Sequence, residues 1–443
     1  MGTYRGTISN DTITPDTLSP GVTADPAGTK PSAASDIISG MDGNDVLNGL
    51  GGADTISGGN GNDDVYMHLL EDYEEVTLSG NANLYGGGGN DHLWSSYDGP
   101  LIDLSAATYV FFGEAGDDTL EATYHYKTEN NDYGAATDIL YGGTGNDSYV
   151  LGESTDTVIE NPGEGFDSVV GYADDYILAA NVEMLQLMNW SDGPPFGMRG
   201  TGNSSDNVLM GGVAEDTLLG MSGNDTIYGQ GGDDTVYGGR SLDDPTDGPD
   251  RIYGDAGNDQ VWAGGGDDTV YGGAGNEIHL SGQSGNDTLY GDAGTDYLAG
   301  GSGNDILYGG TENDRLSGTD GLDRLFGQGG TDTFDYDAVS HSRVGTTVRD
   351  VVGDFTGVGG STRTEAIDLS TIDANTGATG NQAFTFRGTS AFSAPGQIQV
   401  QASGTSDTLI QANVTGTSGA EMEIVVTDGS VLPTAWNALD FLL

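Results

Sequence analysis

The chain has 443 residues, of which 77 are glycine, and its 69 Asp and Glu residues outnumber 12 Lys and Arg residues to give a net charge of −57. This charge excludes nucleic acids and anionic membranes as direct partners and makes cations the expected ones. The absence of cysteine excludes disulfide bonds and thiolate metal sites. The opening residues lack the basic and apolar regions of a secretory signal peptide, and no run of about 18 apolar residues occurs. We therefore expect neither a signal peptide of that kind nor a transmembrane segment.

Residues 1–66 are predicted to begin a repeat array. Asn10-Asp11 and Ser35-Asp36 resemble degenerate copies of a nine-residue unit. Residues 40–66 contain three complete copies in succession, each with an aspartate at its sixth position. These aspartates are Asp45, Asp54 and Asp63.

Residues 67–210 contain only isolated units and are richer in apolar residues. Stretches such as LIDLSAATYVFF and YILAANVEMLQLM have the character of strands. We interpret this segment as an irregular continuation of the same solenoid, with a separately folded insert as the alternative. The isolated units are centred on Asp91, Asp118 and Asp147.

Residues 211–335 form the main predicted array. The insertion RSLDDPTDGPD interrupts the units, and it is either a solvated acidic loop or an added ion site. From Gly282 to Asp335 six nonapeptides follow without a break. The aspartates of the whole segment are Asp216, Asp225, Asp234, Asp250, Asp259, Asp268, Asp287, Asp296, Asp305, Asp314, Asp323 and Asp332.

The unit has the pattern G-G-x-G-x-D-x-U-x, where U is apolar, which is the pattern of a calcium-binding β-helix repeat. Glycine permits a sharp turn with positive φ, and aspartate adds a hard carboxylate oxygen of the kind Ca²⁺ prefers. The residues x-U-x predict a three-residue strand with U in the core. If two units make one coil, aspartates eighteen residues apart face each other, as Asp287 and Asp305 would. Because the apolar residues are too few to offset chain entropy, folding should depend on binding many Ca²⁺ ions.

Three of the departures from the pattern have expected structural consequences. In residues 272–280, Glu277 replaces the aspartate and His279 falls at the apolar position, with Ser281 as an extra residue. We expect weak or absent calcium and a kink there. Ala214 and Glu312 each replace a turn glycine, so those turns should be strained or reshaped.

These nonapeptides resemble those of the repeats-in-toxin (RTX) family. The resemblance implies a parallel β-roll, export by a type I secretion system and folding in external calcium. It also implies that every complete-unit aspartate named above is a calcium ligand.

The last part of the chain, from Asp332 to Leu443, resembles the C-terminal region of serralysin-type metalloproteases. The similar motifs are TDTFDYD, VRDVVGDFTG, IDLSTIDANTG, NQAFTFRGTSAFS, SDTLIQANV and ALDFLL, in that order. The resemblance implies that residues 336–443 form a β-rich cap with an uncleaved C-terminal secretion signal. The protease motif H-E-x-x-H and the esterase motif G-x-S-x-G are both missing from the sequence, so we predict export without proteolysis.

Aromatic residues recur at the ninth position, and they predict an outward ladder along one face. Its members are Tyr228, Tyr253, Tyr271, Tyr290, Tyr308 and Phe326. Such a ladder either stabilises itself by stacking or binds sugar rings.

The sequence therefore predicts an all-β protein, a parallel β-roll with a C-terminal β-cap, that is secreted and binds calcium. The leading functional interpretation is a non-enzymatic surface, matrix or adhesive component, with no catalytic residue assigned. A glycan-binding module is one alternative. An enzyme with a site in residues 67–210 is the other.

Overall fold

The nonapeptides form short parallel strands joined by tight turns in the computed structural model of the protein. It describes residues 2–27, 29–32, 34–50, 52–69, 81–97, 108–124, 137–152, 155–189, 196–240, 247–345, 349–356, 365–377, 379–404, 407–416, 419–427 and 432–443. Within these ranges the helical segments are two 3-10 turns, Pro433–Ala435 and Ala438–Asp440. No helix in the described part of the chain is long and apolar enough to cross a membrane. The chain forms two compact units, Met1–Val208 and Leu209–Leu443.

The strands of the first unit mostly alternate along the chain between two parallel sheets, so two strands make one coil there. They are β1 (Thr3–Arg5), β2 (Thr12–Ile13), β3 (Thr23–Asp25), β4 (Ile37–Asp42), β5 (Val46–Asn48), β6 (Thr55–Asn60), β7 (Asp64–Leu69), β8 (Ala82–Gly88), β9 (His92–Tyr97), β10 (Tyr109–Ala115), β11 (Thr119–Tyr124), β12 (Ile139–Thr144), β13 (Ser148–Leu151), β14 (Thr157–Ile159), β15 (Ser168–Gly171), β16 (Asp175–Ile177), β17 (Met184–Leu187) and β18 (Arg199–Thr201). Strand β19 (Val208–Met210) begins at the last residue of this unit.

One sheet of the first unit has the order β14-β12-β10-β8-β6-β4-β1-β3, and only the β1–β3 pair is antiparallel. The other runs from β2 and β5 through β7, β9, β11, β13 and β15 to β17, all parallel. Strands β16 and β18 form a further parallel pair. The described strands of residues 67–208 therefore extend the sheets begun by the N-terminal repeats.

The second unit repeats this architecture and adds the cap. Its strands are β20 (Thr217–Met221), β21 (Thr226–Tyr228), β22 (Thr235–Gly239), β23 (Arg251–Ala256), β24 (Gln260–Gly265), β25 (Thr269–Ala274), β26 (His279–Ser284), β27 (Thr288–Ala293), β28 (Tyr297–Gly303), β29 (Ile306–Thr311), β30 (Arg315–Gly321), β31 (Arg324–Gln328), β32 (Thr333–Asp335), β33 (Val351–Val352), β34 (Ala366–Asp368), β35 (Thr385–Phe386), β36 (Gln397–Ser403), β37 (Asp407–Asn413), β38 (Met422–Val426) and β39 (Phe441–Leu442).

Each complete repeat unit buries the apolar side chain at its U position. Leu289, Leu307 and Leu325 stack in one sheet, and Leu298 and Leu316 stack in the other, all fully buried. Many strands are longer than the three residues predicted, because backbone pairing continues from x-U-x into the following turn. Strand β29, for example, runs over six residues. The all-β fold class with a parallel β-roll is confirmed.

The cap continues both sheets of the second unit. Strand β33 pairs with β31 on one side and with β38 on the other, and β38, β37 and β36 form an antiparallel meander. Strand β39 pairs with β34, which pairs with β32. The last strand of the chain is thus a strand of the second sheet, and its Phe441 is 1% exposed.

The unit around Glu277 differs from its prediction. Leu280, not His279, occupies the apolar position, and the extra residue is Ile278, which bulges outward and is 60% exposed. Pairing of β24 with β26 stays in register beyond the bulge, from Gln260 with His279 onward, so the expected kink is absent there. Burying Leu instead of His is favourable because an apolar side chain loses no hydrogen bonds in the core.

The two units without a turn glycine differ from each other. Glu312 adopts the left-handed conformation that the glycine would have had, with φ of 72°. Ala214 is not among the described residues with positive φ. The turn at Glu312 is therefore strained, as predicted, whereas Ala214 avoids this strain.

Candidate metal centre

All eighteen aspartates predicted as ligands are buried. Asp305 shows the arrangement: it ends the turn between β28 and β29 and is 0% exposed. Its Oδ1 accepts the backbone N–H of Asp287, one coil earlier, at 2.9 Å. The N–H of Asp305 donates in turn to Oδ1 of Asp323 at 2.9 Å. Aspartates eighteen residues apart therefore face each other, as the repeat spacing predicts, and each row fixes its side chains in one orientation.

The second carboxylate oxygen of the same side chains accepts no hydrogen bond from any described residue, although it is buried. This holds for Oδ2 of sixteen of the eighteen. A buried carboxylate oxygen without a donor is costly, so it needs a proton or a cation. The sixteen are Asp45, Asp54, Asp63, Asp91, Asp118, Asp147, Asp234, Asp250, Asp259, Asp268, Asp287, Asp296, Asp305, Asp314, Asp323 and Asp332.

The turn glycines leave the space into which these oxygens point. A Cβ atom on Gly300 would collide with Oδ2 of Asp305 and with the carbonyl oxygen of Gly318 on the next coil. Gly309 has the same surroundings, formed by Asp314 and the carbonyl of Gly327. The space is thus bordered by carboxylate and peptide oxygens and by glycine. Such hard oxygen donors in a flexible loop fit Ca²⁺.

Burial makes these carboxyls hard to ionise without a cation. Burial, with a smaller contribution from neighbouring carboxylates, raises the pKa of Asp234, Asp268 and Asp305 to about 8 and that of Asp250 to about 9. The N–H bond accepted from the preceding coil opposes the shift. At neutral pH each group is therefore ready to exchange a proton for a metal ion.

Asp216 differs from the other predicted ligands. Its Oδ2 accepts the N–H of Gly212 at 2.5 Å, so the backbone supplies the donor that a cation would replace. The degenerate units behave alike: Oδ2 of Asp11 accepts the N–H of Thr7, and Oδ2 of Asp36 accepts that of Ser32. The structure therefore contains two kinds of carboxylate. In one kind Oδ2 accepts a backbone N–H, and in the other Oδ2 faces the turn and accepts no hydrogen bond from the described residues.

The rows also contain acidic residues that the nonapeptide pattern missed. Oδ1 of Asp350, in VRDVVGDFTG, accepts the N–H of Asp323 at 3.0 Å, and Oδ1 of Asp167 accepts that of Asp147 at 2.8 Å. Both residues stand two positions before a buried valine, and neither follows the complete glycine pattern of the nonapeptide. The shorter signal D-x-U would have found them.

Glu277 keeps the aspartate position in its row. Its N–H donates to Oδ1 of Asp296 at 3.0 Å, yet neither of its own carboxylate oxygens accepts a hydrogen bond from the described residues. Burial, together with the neighbouring Asp296 carboxyl, raises the pKa of Glu277 to about 9. The prediction of weak calcium binding at this unit stays a prediction.

Only part of the acidic insertion lies in the described residues. Residues 241–246, which include Asp243, lie outside them. Oδ2 of Asp247 accepts the N–H of Gly265 at 2.9 Å, so the end of the insertion contacts the turn of another coil.

The aromatic ladder forms as predicted. Neighbouring rings from Tyr228 to Phe326 are 4.9–5.0 Å apart between centroids and within 14° of parallel. A Cβ on Gly353 would collide with the Phe326 ring, so backbone covers that end of the ladder. Because each inner ring has a ring on both faces, the ladder presents ring edges rather than faces.

Comparison with known families agrees with this geometry. The model of the RTX calcium-binding nonapeptide repeat matches residues 32–65, 77–96, 134–158, 201–236, 210–243, 244–276, 279–307 and 308–338. The chain belongs to the RTX calcium-binding repeat family. As an RTX protein it is calcium-binding, and the matched segments contain every one of the eighteen predicted aspartates except Asp118. No curated protein matches the chain.

Proposed function

We propose that this RTX protein is secreted and non-enzymatic, and that it folds when its turn carboxylates take up external calcium. The folded roll would then serve as a surface, matrix or adhesive component. The sixteen buried Oδ2 atoms that lack a donor support this proposal most directly. The eighteen predicted aspartates are the proposed ligands, and Asp216 is the weakest of them because Gly212 satisfies its Oδ2.

The carboxylate rows explain why folding would wait for calcium. With a net charge of −57 and buried aspartates one coil apart, the chain repels itself at the low calcium level of a cytosol. Bound Ca²⁺ would supply the positive charge that neutralises facing carboxylates. Because the turns assemble only in the folded chain, the free energy of binding becomes free energy of folding.

The C-terminal tail fits an order in which export precedes folding. Its resemblance to serralysin-type tails implies an uncleaved signal for a type I secretion system. In the fold, Asp440 and Phe441 are buried and strand β39 is paired, so the tail is accessible only in the unfolded chain. We propose residues 336–443 as the cap and signal, after the repeat segments 1–66, 67–210 and 211–335.

The proposal is tested by measuring the size of the chain and its export. Small-angle scattering in chelator should give a radius of gyration of roughly 80 Å, as for an unfolded chain of this length, and calcium should reduce it severalfold. Removing Asp440 to Leu443 should abolish export from cells that carry a type I system, while a matched internal deletion in residues 241–246 should not. A chain that is compact in chelator contradicts the proposed calcium-dependent folding. Export that survives loss of the tail contradicts the proposed signal.

Glycan binding is the alternative that the sequence suggested. Sugar stacking needs free ring faces, whereas the ladder presents edges, so the rings favour mutual stabilisation. Binding to a glycan array that is lost with Tyr271→Ala and Tyr290→Ala together would restore this alternative. A screen of the calcium-loaded protein for hydrolase, lyase and epimerase activity tests the enzyme alternative.

A further inference from the structure

The last regular turn of the first unit lies against a turn that departs from the repeat. Strand pairing of Tyr141 with Ile159 places Glu160 next to Gly142, where a regular coil would place another glycine. Farther along, the N–H of Asp147 donates to Oδ1 of Asp167 at 2.8 Å, as between regular turns. Turn 160–167 is therefore two residues longer than turn 142–147 and has a glutamate at the first glycine position.

Glu160 replaces a peptide oxygen by a charged one. One coil earlier, a Cβ on Gly113 would collide with Oδ2 of Asp118 and with the carbonyl oxygen of Gly142. The equivalent Cβ on Gly142 would collide with Oδ2 of Asp147 and with Oε1 of Glu160. The glutamate side chain thus folds back into the position that a backbone carbonyl has in the regular turn.

Three carboxylates meet at this point. Asp147, Glu160 and Asp167 each offer an oxygen, and the three atoms lie within 4.8 Å of one another. Asp147 is 1% and Glu160 6% exposed. Oδ2 of Asp147, which faces the cluster, and Oε2 of Glu160 accept no hydrogen bond from the described residues.

Two neighbours hold the glutamate in place. The Tyr149 hydroxyl donates to Oε1 of Glu160, and Nδ2 of Asn181 donates to the Glu160 carbonyl at 2.8 Å. These bonds leave the second carboxylate oxygen unsatisfied. A buried group of three acids arranged in this way needs positive charge.

We propose that Asp147, Glu160 and Asp167 form a calcium site that departs from the nonapeptide pattern and is tighter than the regular turns. It rests on the proposed calcium-dependent folding and names Glu160 as an additional ligand. A third negatively charged ligand strengthens binding, because affinity for Ca²⁺ rises with the number of charged ligands. The site would fill first as calcium rises and would order the end of the regular repeat.

The test is hydrogen–deuterium exchange of the full chain over a calcium titration, with peptides that report residues 142–170 and residues 288–326. In the wild-type chain, residues 142–170 should become protected at a lower calcium concentration than residues 288–326. Glu160→Gln should raise that concentration at least about tenfold. Asp175→Asn, which removes an exposed carboxylate of the same unit, should leave it unchanged, and Tyr149→Phe, which keeps all three acids, should shift it less than Glu160→Gln.

The outcomes of this experiment distinguish the proposed site from calcium-dependent folding in general. Simultaneous protection of both regions in the wild type, or a Glu160→Gln chain that matches the wild type, overturns this site and leaves calcium-dependent folding intact. An equal loss in Tyr149→Phe and Glu160→Gln also overturns it, because packing then explains the effect. No calcium-induced protection anywhere contradicts the proposed function itself. If Glu160→Gln does not fold, the order of protection in the wild type still decides.

Discussion

Protons should replace calcium in folding the roll. Acidifying the calcium-free protein from pH 8 to pH 5 is the perturbation. The folded-state pKa of Asp234, Asp268 and Asp305 is about 8 and that of Asp250 about 9, against an ordinary value of 3.8. A pKa raised by folding contributes stability that is fully present below about pH 4 and is lost as pH rises toward the folded value.

The magnitude follows from these four groups. Between pH 4 and pH 7, each loses about 4 kcal/mol of stability, because one pKa unit corresponds to about 1.4 kcal/mol. Together they lose on the order of 10 kcal/mol, less than the plain sum because Asp268 contributes to the shift of Asp250, and this is comparable with the 5–15 kcal/mol that typically holds a domain folded. The calcium-free second unit should therefore be unfolded at pH 7 and should regain strand structure at pH 5.

Far-UV circular dichroism of the protein in chelator measures the strand structure at each pH. The protein concentration is kept low because pH 5 is close to the sequence pI of about 4.1, where proteins tend to associate. The calcium-loaded protein is the control, and its stability should fall in acid because protons compete with the ion. Chelated protein with the same β signal at pH 8 and pH 5, or with less at pH 5, would refute the reasoning.

Three further predictions concern single residues. Asp305→Asn should raise the calcium concentration for half-maximal folding at least about threefold. The control is Asp292→Asn, which changes an exposed residue of the neighbouring turn and should leave that concentration unchanged. Equal shifts in the two variants would contradict the role of Oδ2. Gly303→Ala should lower the free energy of unfolding, measured by urea denaturation with calcium, by about 3 kcal/mol or more. The reason is that φ of Gly303 is 142° and the new Cβ would collide with the Gly285 carbonyl. Gly419→Ala is the control, because a Cβ on Gly419 would point into open space. Tyr290→Ala should lower the free energy of unfolding by about 1–3 kcal/mol, because two ring contacts are lost. Phe166→Ala, at an exposed phenylalanine, should lower it by about 0.5 kcal/mol. Equal losses in the two variants would refute a stabilising ladder.

Repeat spacing made much of the fold predictable. A period of nine with two strands per coil fixes a partner eighteen residues away, which is why the pairing of Asp287 with Asp305 followed from the sequence. The aromatic ladder followed for the same reason, since the ninth position recurs on the same sheet. Both are properties of local geometry that each unit repeats.

Other features depend on contacts that spacing does not encode. Counting two residues from Glu277 predicted His279 at the buried position. In the structure Leu280 is buried and Ile278 is exposed in a one-residue bulge, because burying the leucine outweighs the cost of the bulge. Glu160 was missed because it meets Asp147 only through a lengthened turn. Asp350 joins the row from a segment that lacks the complete nonapeptide, so the repeat pattern misses it, and the pairing of β31 with β33 places it in the row.

The measurement that tests the central claim most directly is a far-UV circular dichroism titration of chelator-treated protein with calcium at pH 8, with magnesium as the control. A steep gain of β signal with calcium and little with magnesium is the predicted result, because the turns offer flexible oxygen ligands rather than a rigid octahedron. A β signal already complete in chelator, or equal with magnesium, would contradict the claim that calcium on the turn carboxylates folds the chain.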